Sequence, residues 1–234
     1  MRNLRKFLWM LRSRDARLWS LVRRWMWSDK LGVGMQRPLD TPMKARNPRI
    51  PLTLRPLQPG DSEALTSTEG VSEKAALYRL DARRLIDTGI KTLYVAVTEA
   101  GEPVYMQCLA RPDQNELVPR AFGGLIAPLE PDDAVLEFAY TLEDYRAAGI
   151  MPWAVSQLAE EARKDGAKRL VIWIGVDNLT MERYFRRVGF LPFASRRERY
   201  RFGRRTVRFG PLEPGQDAKP QVTAPAEPAQ TSEA

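Results

Sequence analysis

Histidine is absent from all 234 residues, and cysteine occurs once, at position 108. Without an imidazole, histidine-based nucleophilic triads and histidine metal sites are excluded. A general base has to be a carboxylate, a lysine, a tyrosine or water. A single thiol excludes an internal disulfide framework, which suits a reducing, cytoplasmic setting. Cys108 lies inside an apolar segment and reads as a small core residue, against the competing reading of an acyl-carrying thiol. Long apolar runs are missing too. The longest near the start, Phe7 to Leu11, is far short of the ~20 residues a bilayer-spanning helix needs, and no signal-peptide cleavage pattern follows it. No internal repeat is evident.

The 44% of hydrophobic residues in a chain of this length is enough for one domain with a proper core plus appendages. Charge is unevenly spread. Residues 1–30 hold nine lysines or arginines against Asp15 and Asp29, so seven of the chain's eight net positive charges sit there. On a helical wheel Leu4, Phe7, Leu8, Leu11, Leu18, Val22 and Trp25 share one face, with Arg5, Arg12, Arg17, Arg23 and Arg24 opposite. The segment therefore reads as a basic amphipathic helical arm. It could pack on its own domain or on a second subunit as a dimer. It could also adsorb to an anionic membrane at the inner face, which Trp9, Trp19, Trp25 and Trp27 favour because indole rings prefer the interface. Nucleic acid is the least favoured partner, because the charge lies in one terminal arm without a reading motif.

Residues 31–49 are rich in glycine and proline and read as an extended connector, beginning near Ser28. A domain is expected over residues 50–210, followed by a disordered tail over 211–234 of proline, alanine and polar residues. Within the domain, IPLTLRPL predicts a strand and Asp61 a short helical turn. Residues 72–88 carry apolar residues at helical spacing and stop at Gly89. TLYVAVTEAGEPVYMQCLA predicts a hairpin. Residues 111–133 are loop-rich, with one short strand near Leu117 to Phe122, and are expected to form part of an acceptor site. AKRLVIWIGV is the near-continuous apolar run of a doubly covered parallel strand. A helix over 179–188 closes at Gly189, and Phe190 to Arg197 with Tyr200 to Phe209 predicts a final strand pair.

The stretch from Ala134 to Gly166 organises the rest. It alternates up to Thr141, with Leu136, Phe138 and Tyr140 on one face and Val135, Glu137 and Ala139 on the other. A loop then leads to Gly149 and to a helix with Pro152 in its first turn. Strand, glycine turn and helix N-terminus aim free N–H groups and the positive end of a helix dipole at one point, which suits a pyrophosphate.

YRAAGIM resembles the acyl-CoA pyrophosphate loop of the GCN5-related N-acetyltransferase (GNAT) superfamily, with Arg146 and Gly149 matching and Met151 departing from a usually small position. Asn178 and the run NLTMERYFRRVGF resemble that family's second signature. The resemblance implies a mixed α/β sheet with flanking helices, splayed central strands ending near Thr141 and Val176, acetyl-CoA as acyl donor without a metal, and a small-molecule or peptidyl amine as acceptor. It implies cofactor contacts from Tyr140, Thr141, Arg146, Ala147, Ala148, Gly149, Ile150, Met151 and Asn178. Glu137, four residues before Thr141 where many members carry a glutamate, is the candidate base, since an otherwise apolar strand face raises its pKa. A structural ion pair is the alternative. Tyr184 is the candidate acid, but Phe185 occupies the family's tyrosine position, and one residue turns a helical side chain by ~100°. Packing therefore competes as the role of Tyr184. The second functional reading is a catalytically weak acyl-CoA-binding or assembly module held at a membrane or partner by its arm.

Overall fold

The computed structural model describes residues 26–44 and 47–212. The helical reading of residues 1–25 and the disordered reading of 213–234 lie outside the described residues. Strands β1 (Trp27–Pro38), β2 (Leu52–Pro56), β3 (Leu93–Thr98), β4 (Pro103–Ala110), β5 (Asp133–Thr141), β6 (Arg169–Gly175), β7 (Leu191–Arg201) and β8 (Arg204–Gly210) make one sheet. Its order is β2-β3-β4-β5-β6-β1-β7-β8. Neighbours are antiparallel except β5 and β6, which run parallel. A parallel pair needs a crossover, and the helix α4 (Ile150–Lys164) supplies it.

Helices cover the sheet in two layers. On one face α1 (Asp61–Thr66), α2 (Glu73–Ile86) and α3 (Val118–Phe122) bury Leu65, Ala82, Leu85 and Phe122 against Val95, Met106, Val135 and Trp173. On the other, α4 and α5 (Leu179–Arg187) bury Val155, Leu158 and Phe185 against Val33, Leu136 and Ile172. Local chemistry sets the helix ends. The Ser72 hydroxyl accepts from the Ala75 N–H at the start of α2, and Asn178 does the same for Met181 at the start of α5. The segment Leu117 to Phe122, expected as a strand, is the helix α3. Pro119 stands in its first turn and Gly123 closes it in the left-handed conformation, the usual helix asymmetry of Pro and Gly.

The largest correction concerns β1. Residues 31–49 were expected to be a surface connector, yet Trp27–Pro38 is an interior strand, laddered to β6 on one side and β7 on the other. The boundary at residue 30 falls inside this strand, so removing residues 1–30 would also remove four paired residues of the sheet. The glycines that suggest a linker are packing requirements. A Cβ on Gly34 would lie 2.8 Å from the Trp173 ring, and one on Gly32 would lie 2.9 Å from the Arg196 guanidinium. Glycine inside a strand often marks such a close approach. At the opposite end of the strand, Arg169 donates to both oxygens of buried Asp133 and to the side-chain oxygen of Gln36, tying β5, β6 and β1 together.

The last two strands also shift. Their turn falls at Phe202–Gly203 rather than between Arg197 and Tyr200, because β7 runs on to Arg201 alongside Trp27.

Gly34→Val is expected to lower stability by about 1–3 kcal/mol, the usual cost of overpacking. Denaturant unfolding followed by circular dichroism checks it, and an unchanged midpoint would show that Trp173 does not constrain this position.

Candidate active site

The site begins with an irregularity in β5. Met106 of β4 faces Tyr140, but Cys108 faces Glu137, so three steps on β5 match two on β4. The extra residue is a β-bulge, and Phe138 sits in it at φ 55°, a region that non-glycine residues seldom adopt. The bulge breaks the alternation expected up to Thr141. Tyr140 packs with Val135 in the core under α2, whereas Leu136 packs in the opposite core. It also ends the parallel ladder, whose last rung is Leu136 with Ile172. Beyond that rung β6 continues against β1 to Gly175 and β5 continues only against β4. The two central strands separate, as the family resemblance implied.

Glu137 is the first residue past the last shared rung. Its Oε1 is sealed from solvent and has no hydrogen-bond partner. Burial pushes the carboxyl up to about 7, while the Arg196 charge and the N–H groups of Phe138 and Trp173 pull it back down. A carboxylate poised there can accept a proton near neutrality. Arg196 is itself displaced downward by burial and held up by Glu137 and Glu198. It donates to the Leu125 carbonyl at 2.6 Å and lies 5.7 Å from the centre of the Trp173 ring. Arg205 donates to buried Glu198 and to the Gly123 carbonyl. The segment 111–133, expected near the acceptor, is thus tied to β7 and β8 by two arginines. Sequence reading passed over them because RRERYRFGRR looks like an undifferentiated basic strand pair. A pocket opens beside this network, bounded by Leu31, Gly175, Asp177, Arg196 and Glu198.

The loop after β5 carries the candidate anion site. A 3₁₀ turn over Glu143–Tyr145 leads to Ala147 at φ 63° and Gly149 at φ 77°. Among backbone hydrogen bonds of the described residues, none uses the N–H of Ala147, Ala148, Gly149, Ile150 or Met151. These donors, with the N-terminus of the 15-residue α4, suit a pyrophosphate. Met151, which departs from the usually small position of the motif, is partly buried and packs against the core. The Ala148 carbonyl accepts from the Arg49 N–H at 2.8 Å, so the segment after β1 runs alongside the loop. Arg146 is exposed and paired with Glu143, which also receives Arg79.

The remaining expected residues divide. Leu142 donates to Val104 of β4, and by the alternation of an antiparallel ladder the Thr141 N–H turns to the side β6 has left. Tyr140 points elsewhere: its hydroxyl meets Arg79 at 3.0 Å and Glu143 at 3.3 Å, behind β5. Asn178 spends its side-chain oxygen on the helix cap. Tyr184 packs against Phe185 in the α4–α5 core, and its hydroxyl lies 3.5 Å from the Pro152 carbonyl. Burial pushes its phenol up to about 12. Cys108 is fully buried and its thiol is pushed far up by burial, so it stands as a core residue. Among the described residues, no helix is long and apolar enough to cross a membrane.

Among the solved structures compared, one with a TM-score above 0.5 shares this architecture. A fungal GCN5-related glucosamine N-acetyltransferase region within a multi-domain β-N-acetylglucosaminidase superposes at TM-score 0.53 with 16% identity, covering 80% of this chain and 22% of that one. A Drosophila protein gives 0.48 and 14%, covering 79% and 55%. A GCN5-related N-acetyltransferase from Sphaerobacter thermophilus gives 0.45 and 16%, covering 80% and 57%. The chain therefore spans about half or less of the first two. No curated protein matches the chain. The Acetyltransferase (GNAT) family profile matches residues 67–190, a span that holds the bulged strand, the glycine turn and both helices of the second layer, and the chain belongs to that family of acyl-CoA-dependent N-acetyltransferases.

Proposed function

We propose that the chain transfers an acetyl group from acetyl-CoA to a primary amine, small or peptidyl, with Glu137 as the base. The observation that carries this reading is the unpartnered, buried Glu137 oxygen at the point where β5 and β6 part. Acetyl-CoA supplies an activated thioester when bound; its phosphates would lie on the N–H groups of Ala147 to Met151. Glu137 takes a proton from the amine as the new C–N bond forms. The Thr141 N–H is the donor best turned to meet the charge that develops on the carbonyl oxygen. The acceptor would reach Glu137 from the pocket beside Arg196, whose carboxylates Asp177 and Glu198 suit a cationic amine. Through its basic residues the arm over 1–25 would hold the enzyme at an anionic membrane face.

A second reading, acyl-CoA binding with slow turnover, is favoured by Tyr184. A phenol at about 12 is a weaker acid than a thiol, whose usual value is about 8.5. Burial thus makes Tyr184 a weaker acid than a free phenol, and a thiolate with the ordinary thiol pKa is protonated near neutrality by exchange with bulk solvent. Release of free CoA over a panel of amines separates the two readings, because a binding module would show none above the hydrolytic background.

Three outcomes test the residue roles. Glu137 must be ionised to act, so activity should rise with pH through about 7. Glu137→Gln should remove that acidic limb and cut turnover by about 10²-fold or more, with little change in acetyl-CoA affinity. Because the folded carboxyl lies above its unfolded value, this group's contribution to stability is lost as pH rises through about 7. The variant should accordingly gain thermal stability over wild type at pH 8 and not at pH 4; equal gains would place the charge in a solvated setting.

Gly149→Val should weaken acetyl-CoA binding at least about tenfold by calorimetry, since a β-branched residue strains a positive φ and blocks approach to the loop. Its Cβ would meet only Pro48, at 3.8 Å, so the fold should survive. Tyr184→Phe should change turnover by less than about threefold, because it removes one long, weak hydrogen bond and no usable acid. A large loss would restore Tyr184 as the acid.

A further inference from the structure

The far end of the sheet carries a charge pattern that the acetyl-transfer site does not use. Side chains alternate across β7 and β8 so that Arg197, Arg199, Arg201, Arg204 and Arg208 share one face, and the facing positions on β1 add one carboxylate, Asp29. Asp29 lies 3.0 Å from Arg199 and 3.8 Å from Arg197 and Arg201. Among the described residues, one carboxylate stands against these five arginines. Arg204 and Arg208 are exposed and make no ion pair among the described residues. One row further along β1, Val33 is already buried with Phe185 of α5, so among the described residues the helical layer ends where the arginines begin.

The edge of this face is aromatic. Trp27 is 60% and Phe202 73% exposed, their rings meet edge to face at 6.2 Å, and Arg201 stacks 3.9 Å above Trp27. Phe202 is the first residue of the two-residue turn between β7 and β8 and takes φ 48°, followed by Gly203 at φ 77°. Such a turn favours Asn, Asp or Gly at that place. A bulky apolar ring there opposes both the backbone preference and solvation, and a strained, exposed residue is a reason to look for function. The Phe202 N–H also donates to the Met26 carbonyl at 2.8 Å, which fixes the tip beside the point where residues 1–25 join the sheet.

We propose that this face of β1, β7 and β8 is a docking surface for an anionic lipid bilayer, with Trp27 and Phe202 entering the headgroup region and the arginines meeting lipid phosphates. Charge complementarity selects this occupant. The chain's own arm is a poor cover, because residues 1–25 hold eight lysines or arginines against Asp15 alone and would be repelled by the face. Single-stranded nucleic acid uses aromatics inside a basic groove, whereas here they project from a hairpin tip. Tryptophan and phenylalanine flanked by arginine are the composition of an interfacial anchor. The proposal rests on the folded sheet and neither on the catalytic assignment nor on the conformation of the arm.

The test uses the full chain, with vesicles of phosphatidylcholine alone or mixed with phosphatidylglycerol, read by co-sedimentation at low and high salt. Wild type should sediment with the anionic vesicles only, and less at high salt. Arg204→Gln with Arg208→Gln should weaken that partition by about thirtyfold, from two charges near an anionic surface, with acetyl-CoA affinity unchanged. Phe202→Asn should also weaken it while holding or raising the melting temperature, since asparagine accepts the turn conformation. A structural role for Phe202 would instead lower the melting temperature. Variants that sediment like wild type would overturn the proposal, leaving any membrane binding to residues 1–25. So would a chain that ignores vesicles but retains an oligonucleotide through Arg204 and Arg208.

Discussion

The one-residue surplus of β5 against β4 is the constraint on which the site depends. A parallel pair of buried strands normally keeps its ladder to the end, because each unpaired N–H or C=O in a dry interior is costly. The bulge at Phe138 breaks the β5–β6 ladder after Leu136, and the chain compensates on both sides. β5 keeps its bonds to β4, and β6 keeps its bonds to β1. What is left between them is a gap in the ladder with the Glu137 carboxylate at its start, where the N–H groups of Phe138 and Trp173 act on it. The same distortion moves Tyr140 to the α2 side, where it joins Arg79 and Glu143. That cluster supports the loop from behind, and Arg146 is attached to it through Glu143.

β1 makes this compensation available. Had β6 been left without a partner on that side, its open edge would face solvent along the apolar run Leu170 to Ile174, a liability for pairing with other molecules. Placing β1 there covers β6 and carries β7 and β8 outward. Trp173 joins the two halves: its ring lies over Gly34, meets Phe193 and Phe209 edge-on, and faces Arg196. Through Arg196 the outer strands reach Glu137. The proposed base therefore takes its electrostatic setting partly from a strand that the GNAT profile, ending at residue 190, does not include.

This explains what the sequence could and could not disclose. Periodic elements were legible, because burial on one face imposes the pattern: α2, the β3–β4 hairpin, β6 and α5 lie where spacing and stop residues put them. The glycine turn was legible from its dihedral demand at Gly149, and Glu137 from its place in an apolar strand. β1 was not, because Gly32 and Gly34 exclude side chains for the sake of Trp173 and Arg196, which lie far away in the chain. A local rule reads those glycines as freedom, whereas the fold uses them as space. The helix over Val118 to Phe122 was missed for a related reason. Five residues are too few to show a period, so the Pro119 and Gly123 boundaries outweigh the apolar content.

The departing thiolate sets a further condition on the chemistry. Thiols have an ordinary pKa of about 8.5, so a released thiolate near neutrality takes a proton from water without help from a tuned acid. The amine is the harder partner. A primary amine arrives as an ammonium, and loss of that proton is what the attack requires. An adjustment of the right sense is made at the proposed base: Glu137 is pushed up toward neutrality by burial and kept from rising further by Arg196. Tyr184 is drawn into the α4–α5 core, where it holds the two helices beside the cleft. On the proposed mechanism the family position for an acid can be filled by Phe185, buried against Phe190, because the proton whose loss the attack requires would be taken by Glu137 and none need be supplied from α5.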